Sequence, residues 1–195
     1  MPYPDSYYFA TAKGLLDRPA LTGEVDCDVC VIGGGFTGLS SALHLTGRGY
    51  KTVLLESERI GWGASGRNGG QVGSGQRKDP AELRAIVGEA ETRRLWDLAE
   101  EAKALIRALV TQHAIACDLK PGIMNVAYKT GDVEELHRYA DDLTENYGYQ
   151  DVEKLTRDGV AARMGSERYF GGILDRGACH LHPLNLALGL ARAAE

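Results

Sequence analysis

The sequence predicts an α/β fold: a parallel sheet with helices, carrying part of a second, α+β region. Three observations predict it. A β-branched run, Val29-Cys30-Val31-Ile32, passes straight into Gly33-Gly34-Gly35-Phe36-Thr37-Gly38 and then into an apolar segment ending at Gly49. A second run, Thr52-Val53-Leu54-Leu55, ends on an acid, Glu56, eighteen residues after Gly38. The remainder alternates helical periodicity with short strand-like runs.

Residues 1–25 read as an irregular arm with one helical turn, held to the surface by Tyr3, Tyr7, Tyr8 and Phe9. Val29, Val31 and Ile32 suit a strand buried on both faces of a parallel sheet. Gly33 permits the tight turn out of it, Gly35 lets an anionic group approach the backbone, and Gly38 allows close helix–strand packing. The helix that follows offers its free N–H groups and partial positive charge to a pyrophosphate, and buries Leu39, Ala42, Leu43 and Leu45. Glu56, at the carboxyl end of the second strand, can accept hydrogen bonds from a ribose. With strand, helix and acid all in place, the glycine motif has the context that a dinucleotide site requires.

The stretch after Glu56 is glycine-dense, Gly61-Trp62-Gly63-Ala64-Ser65-Gly66-Arg67-Asn68-Gly69-Gly70-Gln71. A flexible linker would be serine-rich and would lack Trp and Arg; this mixture points to a ligand-binding loop. Asp79-Pro80 starts a helix that runs to about Ile115, divided at Gly88. Cys117–Leu119 and Ile123–Tyr128, around Pro121-Gly122, read as two strands of a hairpin. Asp132–Asn146 is an amphipathic helix, Val152–Leu155 a short strand, and Thr156 caps a helix to Met164. Tyr169–Leu174 and Ala178–Leu181 read as strands, and Pro183 opens a last helix to Ala194.

Composition bounds the function. The hydrophobic share of 44% and charged share of 25% are those of a globular protein, and the net charge is −5. No basic block occurs, so no nucleic-acid partner is expected. The uncharged stretch 29–43 is too short and glycine-rich to span a membrane, and Asp26 and Asp28 precede it where a signal peptide would be basic. A cytoplasmic location is expected. Cys27 and Cys30 form a C-x-x-C in or beside a strand rather than at a helix start, so they read as small buried residues, not a redox pair. No ligand set with metal spacing occurs. His180 and His182 would share a strand face, but no acid or cysteine joins them and they read as structural. No Ser-His-Asp or paired-carboxylate constellation is present, and no catalytic residue is assigned.

The motifs at 28–42, 54–56 and 61–71 resemble the D-amino-acid oxidase family of FAD-dependent oxidoreductases, and His180-Leu181-His182-Pro183-Leu184-Asn185 resembles its amine-oxidising branch. The resemblance implies a Rossmann-like FAD-binding domain, residues 1–116 with 176–195, and part of a substrate domain, 117–175. It implies FAD as cofactor. Gly33, Gly35 and Gly38, with Ile32, Phe36 and Thr37 beside them, would hold the pyrophosphate. Glu56 and Ser57 would take the adenosine ribose. Ser65, Gly66, Arg67, Asn68, Gly69, Gly70 and Gln71 would follow the ribityl chain. The reaction implied is oxidation of the C–N bond of a small amine, with oxygen reoxidising the flavin. Members of the family are longer, so the resemblance also implies a missing C-terminal half or a complementary chain, and weak FAD binding and poor turnover for these 195 residues alone. Two other readings stay open: an NAD-dependent dehydrogenase with the same glycine motif, and a non-catalytic flavin-binding or assembly module.

Overall fold

The computed structural model describes residues 2–195. In chain order the elements are α1 (Tyr7–Ala10), β1 (Val29–Ile32), α2 (Phe36–Gly47), β2 (Thr52–Leu55), a 3₁₀ turn (Ala64–Gly66) and β3 (Gln71–Val72). Then follow α3 (Pro80–Val87), α4 (Glu89–Gln112), β4 (Lys120–Ala127), α5 (Thr130–Tyr147), β5 (Val152–Thr156), α6 (Arg157–Met164), β6 (Gly171–His180) and α7 (Pro183–Ala194). The chain forms two compact units: Met1–Gly70 with Arg107–Leu119 and Leu181–Glu195, and Gln71–Ile106 with Lys120–His180. The division differs from the expected one because β3 pairs with β6, which draws residues 71–106 into the second unit.

In the first unit β1 and β2 pair in parallel, Val29 opposite Thr52 and Ile32 opposite Leu55. Such a pair needs a crossover, and α2 supplies it. Leu39, Ala42 and Leu43 are its buried face; Leu45 is only half-buried. α7 is buried from Pro183 to Ala191, as an apolar helix without a polar stripe must be. The expectation that β1 is covered on both faces is corrected: Cys30 and Ile32 are exposed, Ile32 at 78%. A two-stranded parallel sheet with α2 on one side leaves its other face open. Cys27 is half-buried and Cys30 exposed, against the expectation of two buried thiols, whereas Cys117 and Cys179 are buried. No disulfide is formed among the described residues.

The second unit is an antiparallel sheet centred on β6, with β4 along one edge and β3 and β5 along the other. The expected hairpin at 117–128 does not form. Lys120–Ala127 is one strand, and Pro121-Gly122 lies at a bulge in its pairing with β6, where Gly122 takes φ +87°. The two strands expected at 169–181 are likewise one. Asp175-Arg176-Gly177 reads as a turn, but the Asp175 carboxylate is buried and accepts from Ser74 Oγ at 2.7 Å, Tyr149 Oη at 2.5 Å and the Ala178 amide at 2.9 Å. Lys103, also buried, donates to Ser74 Oγ at 2.6 Å and Tyr149 Oη at 3.2 Å and pairs with Glu100 at 2.9 Å. Burial, then the hydrogen bond to Asp175, raises the Tyr149 hydroxyl above the usual phenol range. Beside this network Trp96, Leu143 and Tyr147 form a core cluster with Tyr139, Tyr149 and Val152 packed on it.

The expected helix starts are found. Asp79 caps α3 by accepting from the Glu82 amide at 2.7 Å, and Thr156 caps α6 by accepting from Gly159 at 3.2 Å. Gly88 ends α3, so the long helical stretch is two helices. No helix among the described residues is long and apolar enough to cross a membrane.

Candidate functional site

The glycine turn between β1 and α2 is built by three backbone events. Gly33, at φ +103°, turns the chain, and its amide donates to the Leu55 carbonyl at 2.7 Å, tying the turn to the end of β2. Gly34 donates to Glu56 Oε2 at 2.6 Å and accepts from the Gly61 amide at 2.9 Å. Gly35 is the N-cap of α2, with no side chain to cover the helix start. A Cβ on Gly38 would overlap the Gly33 carbonyl oxygen, so a side chain there would push helix and strand apart. The first-turn amides of Thr37 and Gly38 have no intrahelical acceptor. The turn thus presents N–H groups and the positive end of the α2 dipole to an anion.

Glu56 stands where expected, at the end of β2, and does more than wait for a ribose. Its second oxygen accepts from the Glu58 amide at 2.9 Å and the Ser57 hydroxyl at 3.4 Å. Burial pushes its carboxyl up, but the Gly34 and Glu58 amides outweigh burial and hold it below the usual range. Glu56 is ionised and locks the glycine turn while its remaining lone pairs stay available.

The glycine-rich loop folds onto this turn. Ser65 Oγ accepts from the Phe36 amide at 3.0 Å, capping α2 from outside the helix. Arg67 stacks over Trp62 at 5.1 Å and donates to the Gly63 carbonyl at 3.2 Å. Asn68 organises the next turn: Nδ2 donates to the Ala64 and Ser65 carbonyls, and Oδ1 accepts from Gly70 at 2.9 Å. The Gly70 carbonyl accepts from Leu181 at 2.9 Å, and Gln71 starts β3 opposite His180. Of the residues expected to bind, Gly33, Gly35, Phe36, Gly38, Glu56 and Ser57 gather at the β1–α2 turn, joined there by Ser65. Ile32 sits exposed at the end of β1 and Thr37 is exposed on the first turn of α2; Gly66 lies against Gly61, whose amide bonds Gly34, and residues 67–70 lead on to β3 at Gln71.

Two residues escaped sequence reasoning. Gly34 admits no side chain easily, since a Cβ would lie 2.7 Å from Ile60 Cδ1 and 3.2 Å from Glu56 Oε2. Gly61 bonds to it and packs on Leu184 and Ala187. The run of three glycines signalled the first; nothing local signalled the second.

His180 ends β6, its Nδ1 3.1 Å from the Gly122 carbonyl. His182 is the N-cap of α7, Nδ1 accepting from the Asn185 amide at 3.1 Å, with Nε2 3.0 Å from Thr11 Oγ1. No metal-holding group of His, Cys, Asp or Glu exists among the described residues. A cavity of about 650 Å³ lies wholly in the second unit, lined by Arg84, Val126, Asp132, Glu135, Tyr139 and Asp142 among others, and holds none of the expected cofactor residues. Burial, then the charges of Asp175, Asp79 and Asp142, pushes the Tyr139 hydroxyl up to about 12, so it is a donor at neutral pH.

Comparison with known proteins gives a consistent assignment. The family profile described as DAO, FAD dependent oxidoreductase, matches residues 28–195. The chain is 39% identical over 191 residues to gamma-glutamylputrescine oxidoreductase of Escherichia coli (strain K12), covering 98% of this chain and 45% of that protein. It is 38% identical to a probable oxidoreductase OrdL of Rhizobium meliloti (strain 1021), covering 97% and 44%. Glycine oxidase from Bacillus cereus superposes with a TM-score of 0.64 at 25% identity, covering 87% of this chain and 45% of that one. L-amino acid deaminase from Proteus myxofaciens shares the fold, with a TM-score of 0.72 at 18% identity over 94% of this chain and 39% of that one. The chain spans about half the length of the curated relatives it matches.

Proposed function

The chain belongs to the DAO family of FAD-dependent oxidoreductases, and from that premise we propose that its first unit grips the dinucleotide of FAD in an enzyme oxidising the C–N bond of a small amine. The cofactor of the family is FAD. The observation that carries the residue assignment is the β1–α2 turn, where the Gly34 amide is locked by Glu56 and the helix start is reached by Ser65 of the second glycine segment.

The residues fit the group. A diphosphate needs bare backbone and unsatisfied N–H donors, and no side chain stands within 4 Å of where a Gly33 Cβ would lie. In this reading the amides of Gly35, Thr37 and Gly38 hold the diphosphate, and Glu56 accepts from the adenosine ribose. Ser65, Gly66, Arg67, Asn68, Gly69, Gly70 and Gln71 line the path of the remainder, with Ile32, Phe36 and Ser57 flanking. The second unit supplies part of the substrate side. Bound FAD supplies the two-electron acceptor, so that an amine gives an imine and water then gives a carbonyl compound and a smaller amine. Oxygen is the proposed final acceptor. The side chains orient and exclude water, and none is required as a nucleophile. Amine chemistry is favoured over other oxidations of the family by the 39% identity to gamma-glutamylputrescine oxidoreductase. The acidic approach to β1 fits a cytoplasmic enzyme.

Titrating the purified chain with FAD, read by flavin fluorescence quenching, tests the cofactor site. Weak binding that saturates at one FAD per chain is expected, undisturbed by excess NADH and lost in Gly38→Val. Displacement by NADH, or equal binding by Gly38→Val, would overturn the assignment. For these 195 residues alone, anaerobic bleaching of the bound flavin by amines is expected to be slow or absent, and any bleaching should follow amines and not hydroxy acids.

A further inference from the structure

The N-terminal arm lies outside the matched family profile, which begins at residue 28, yet the curated relatives match over 97–98% of the chain. Its contacts are specific and mostly polar. Tyr3 Oη donates to the Ile60 carbonyl at 2.8 Å, Trp62 Nε1 donates to the Pro2 carbonyl at 3.0 Å, and Asp17 pairs with Arg59. Further along, the Lys13 amide donates to Asn185 Oδ1 at 2.8 Å, and Tyr8 sets its ring edge-on to His182 at 5.1 Å. His182 Nδ1 accepts from Asn185, so Nε2 carries the proton and donates to Thr11 Oγ1, which donates onward to the Tyr7 carbonyl at 2.7 Å. An arm that merely completed a core would bury its large side chains, whereas Leu15, Leu16 and Leu21 stay 42–52% exposed. The arm therefore holds the start of the glycine-rich loop, at 59–62, through Pro2, Tyr3 and Asp17, and the start of α7, on which Gly61 packs, through Tyr8, Thr11 and Lys13 between them.

We propose that the N-terminal arm is a positioning element for the flavin nucleotide: through Tyr3 and Thr11 it straps the glycine-rich loop and the α7 N-terminus together and pre-forms the loop before FAD arrives. The inference rests on the cofactor site proposed above. Ordering a loop in advance removes its conformational entropy from the binding step.

The test compares the chain with Tyr3→Phe/Thr11→Val and with Thr11→Ser, by amide hydrogen exchange without ligand and by FAD titration. The double variant is expected to exchange about tenfold faster at residues 59–66 and to bind FAD about fivefold to tenfold more weakly, the scale of one net hydrogen bond. Exchange in β1 and α2 should be unchanged, and Thr11→Ser should match the unmodified chain. Unchanged loop exchange, unchanged FAD affinity, or exchange rising equally in α2 would overturn the proposal. If the unmodified chain takes up no FAD, the cofactor site itself fails, while the exchange comparison still decides whether the arm holds the loop.

Discussion

Two glycines of α2 differ by a single steric fact. A methyl group on Gly38 would run into the Gly33 carbonyl oxygen and sit 3.3 Å from Val31 Cγ1, whereas one on Gly47 meets nothing within 4 Å. Gly47→Ala should therefore stabilise the chain by about 0.5–1 kcal/mol, the usual gain of alanine over glycine in a helix. Gly38→Ala should destabilise it by about 1–3 kcal/mol, the overpacking range, and weaken FAD binding at least tenfold. Denaturant melts and FAD titrations of both variants check this; equal effects would show that helix and strand are not in close contact. Glu56 is the second residue-scale case. Its carboxyl is held below the usual range in the fold, so it contributes stability above the unfolded value near 4.3 and loses it as pH falls through the folded value. Glu56→Gln removes that dependence, takes the charge from both acceptors, and leaves either the Gly34 or the Glu58 amide facing an NH2 group that cannot accept. Melting temperature should then fall at pH 7 and converge with that of the parent chain once the pH has dropped below the folded value.

At the scale of elements, helix starts were the most legible feature, because a cap is a local contract between one side chain and one amide. Asp79, Thr156 and the His182-Pro183 step all mark starts found in the fold. What stayed hidden was strand continuity. Asp175-Arg176-Gly177 has turn composition, yet it lies mid-strand because Ser74 and Tyr149, distant in sequence, satisfy the carboxylate. The cap of α7 carries a pH prediction. Burial, opposed by the backbone and Asp118 and reinforced by Lys13, lowers the His182 pKa. A proton on Nδ1 would face the Asn185 amide and end the cap. Above pH 7 the ring is neutral folded or unfolded, and the cap is whole. As pH falls through about 6.5 the unfolded chain takes a proton that the folded chain refuses, so stability declines. Thermal melts from pH 8 to pH 5 should fall more steeply for the unmodified chain than for His182→Asn, which keeps a capping acceptor without a titrating ring. Parallel slopes would remove His182 from the account.

Across the whole molecule, the β1–α2–β2 unit and its acid could be read directly, since the glycine spacing encodes a local path. Coverage could not, because which face of a strand meets water depends on elements far along the chain. Val29-Cys30-Val31-Ile32 has the composition of a strand covered on both faces, but its alternate residues Cys30 and Ile32 face outward. The buried lysine was equally illegible: Lys103 sits on an amphipathic helix where its charge suggests solvent, and only the fold brings Ser74 and Tyr149 to it. Removing that cation leaves Glu100 without its ion-pair partner and takes a charged donor from Ser74 and Tyr149, the two hydroxyls that hold Asp175, so Lys103→Met should cost about 1–3 kcal/mol, the scale for hydrogen bonds to a charged group. The open sheet face gives a test needing no substitution. A thiol must be both reachable and ionisable to react. Cys30 is exposed and Cys27 half-buried, while Cys117 and Cys179 each show only 1% of their surface. Under native conditions an aromatic disulfide reagent should label Cys30 first and Cys27 more slowly, with Cys117 and Cys179 reacting only after denaturation. Because the β1–α2 turn lies at the end of the same strand, bound FAD should leave the Cys30 rate within about twofold if the open face is separate from the cofactor site. Protection of Cys30 without any ligand would mean that the face is covered, and that β1 is buried on both sides as its composition suggests.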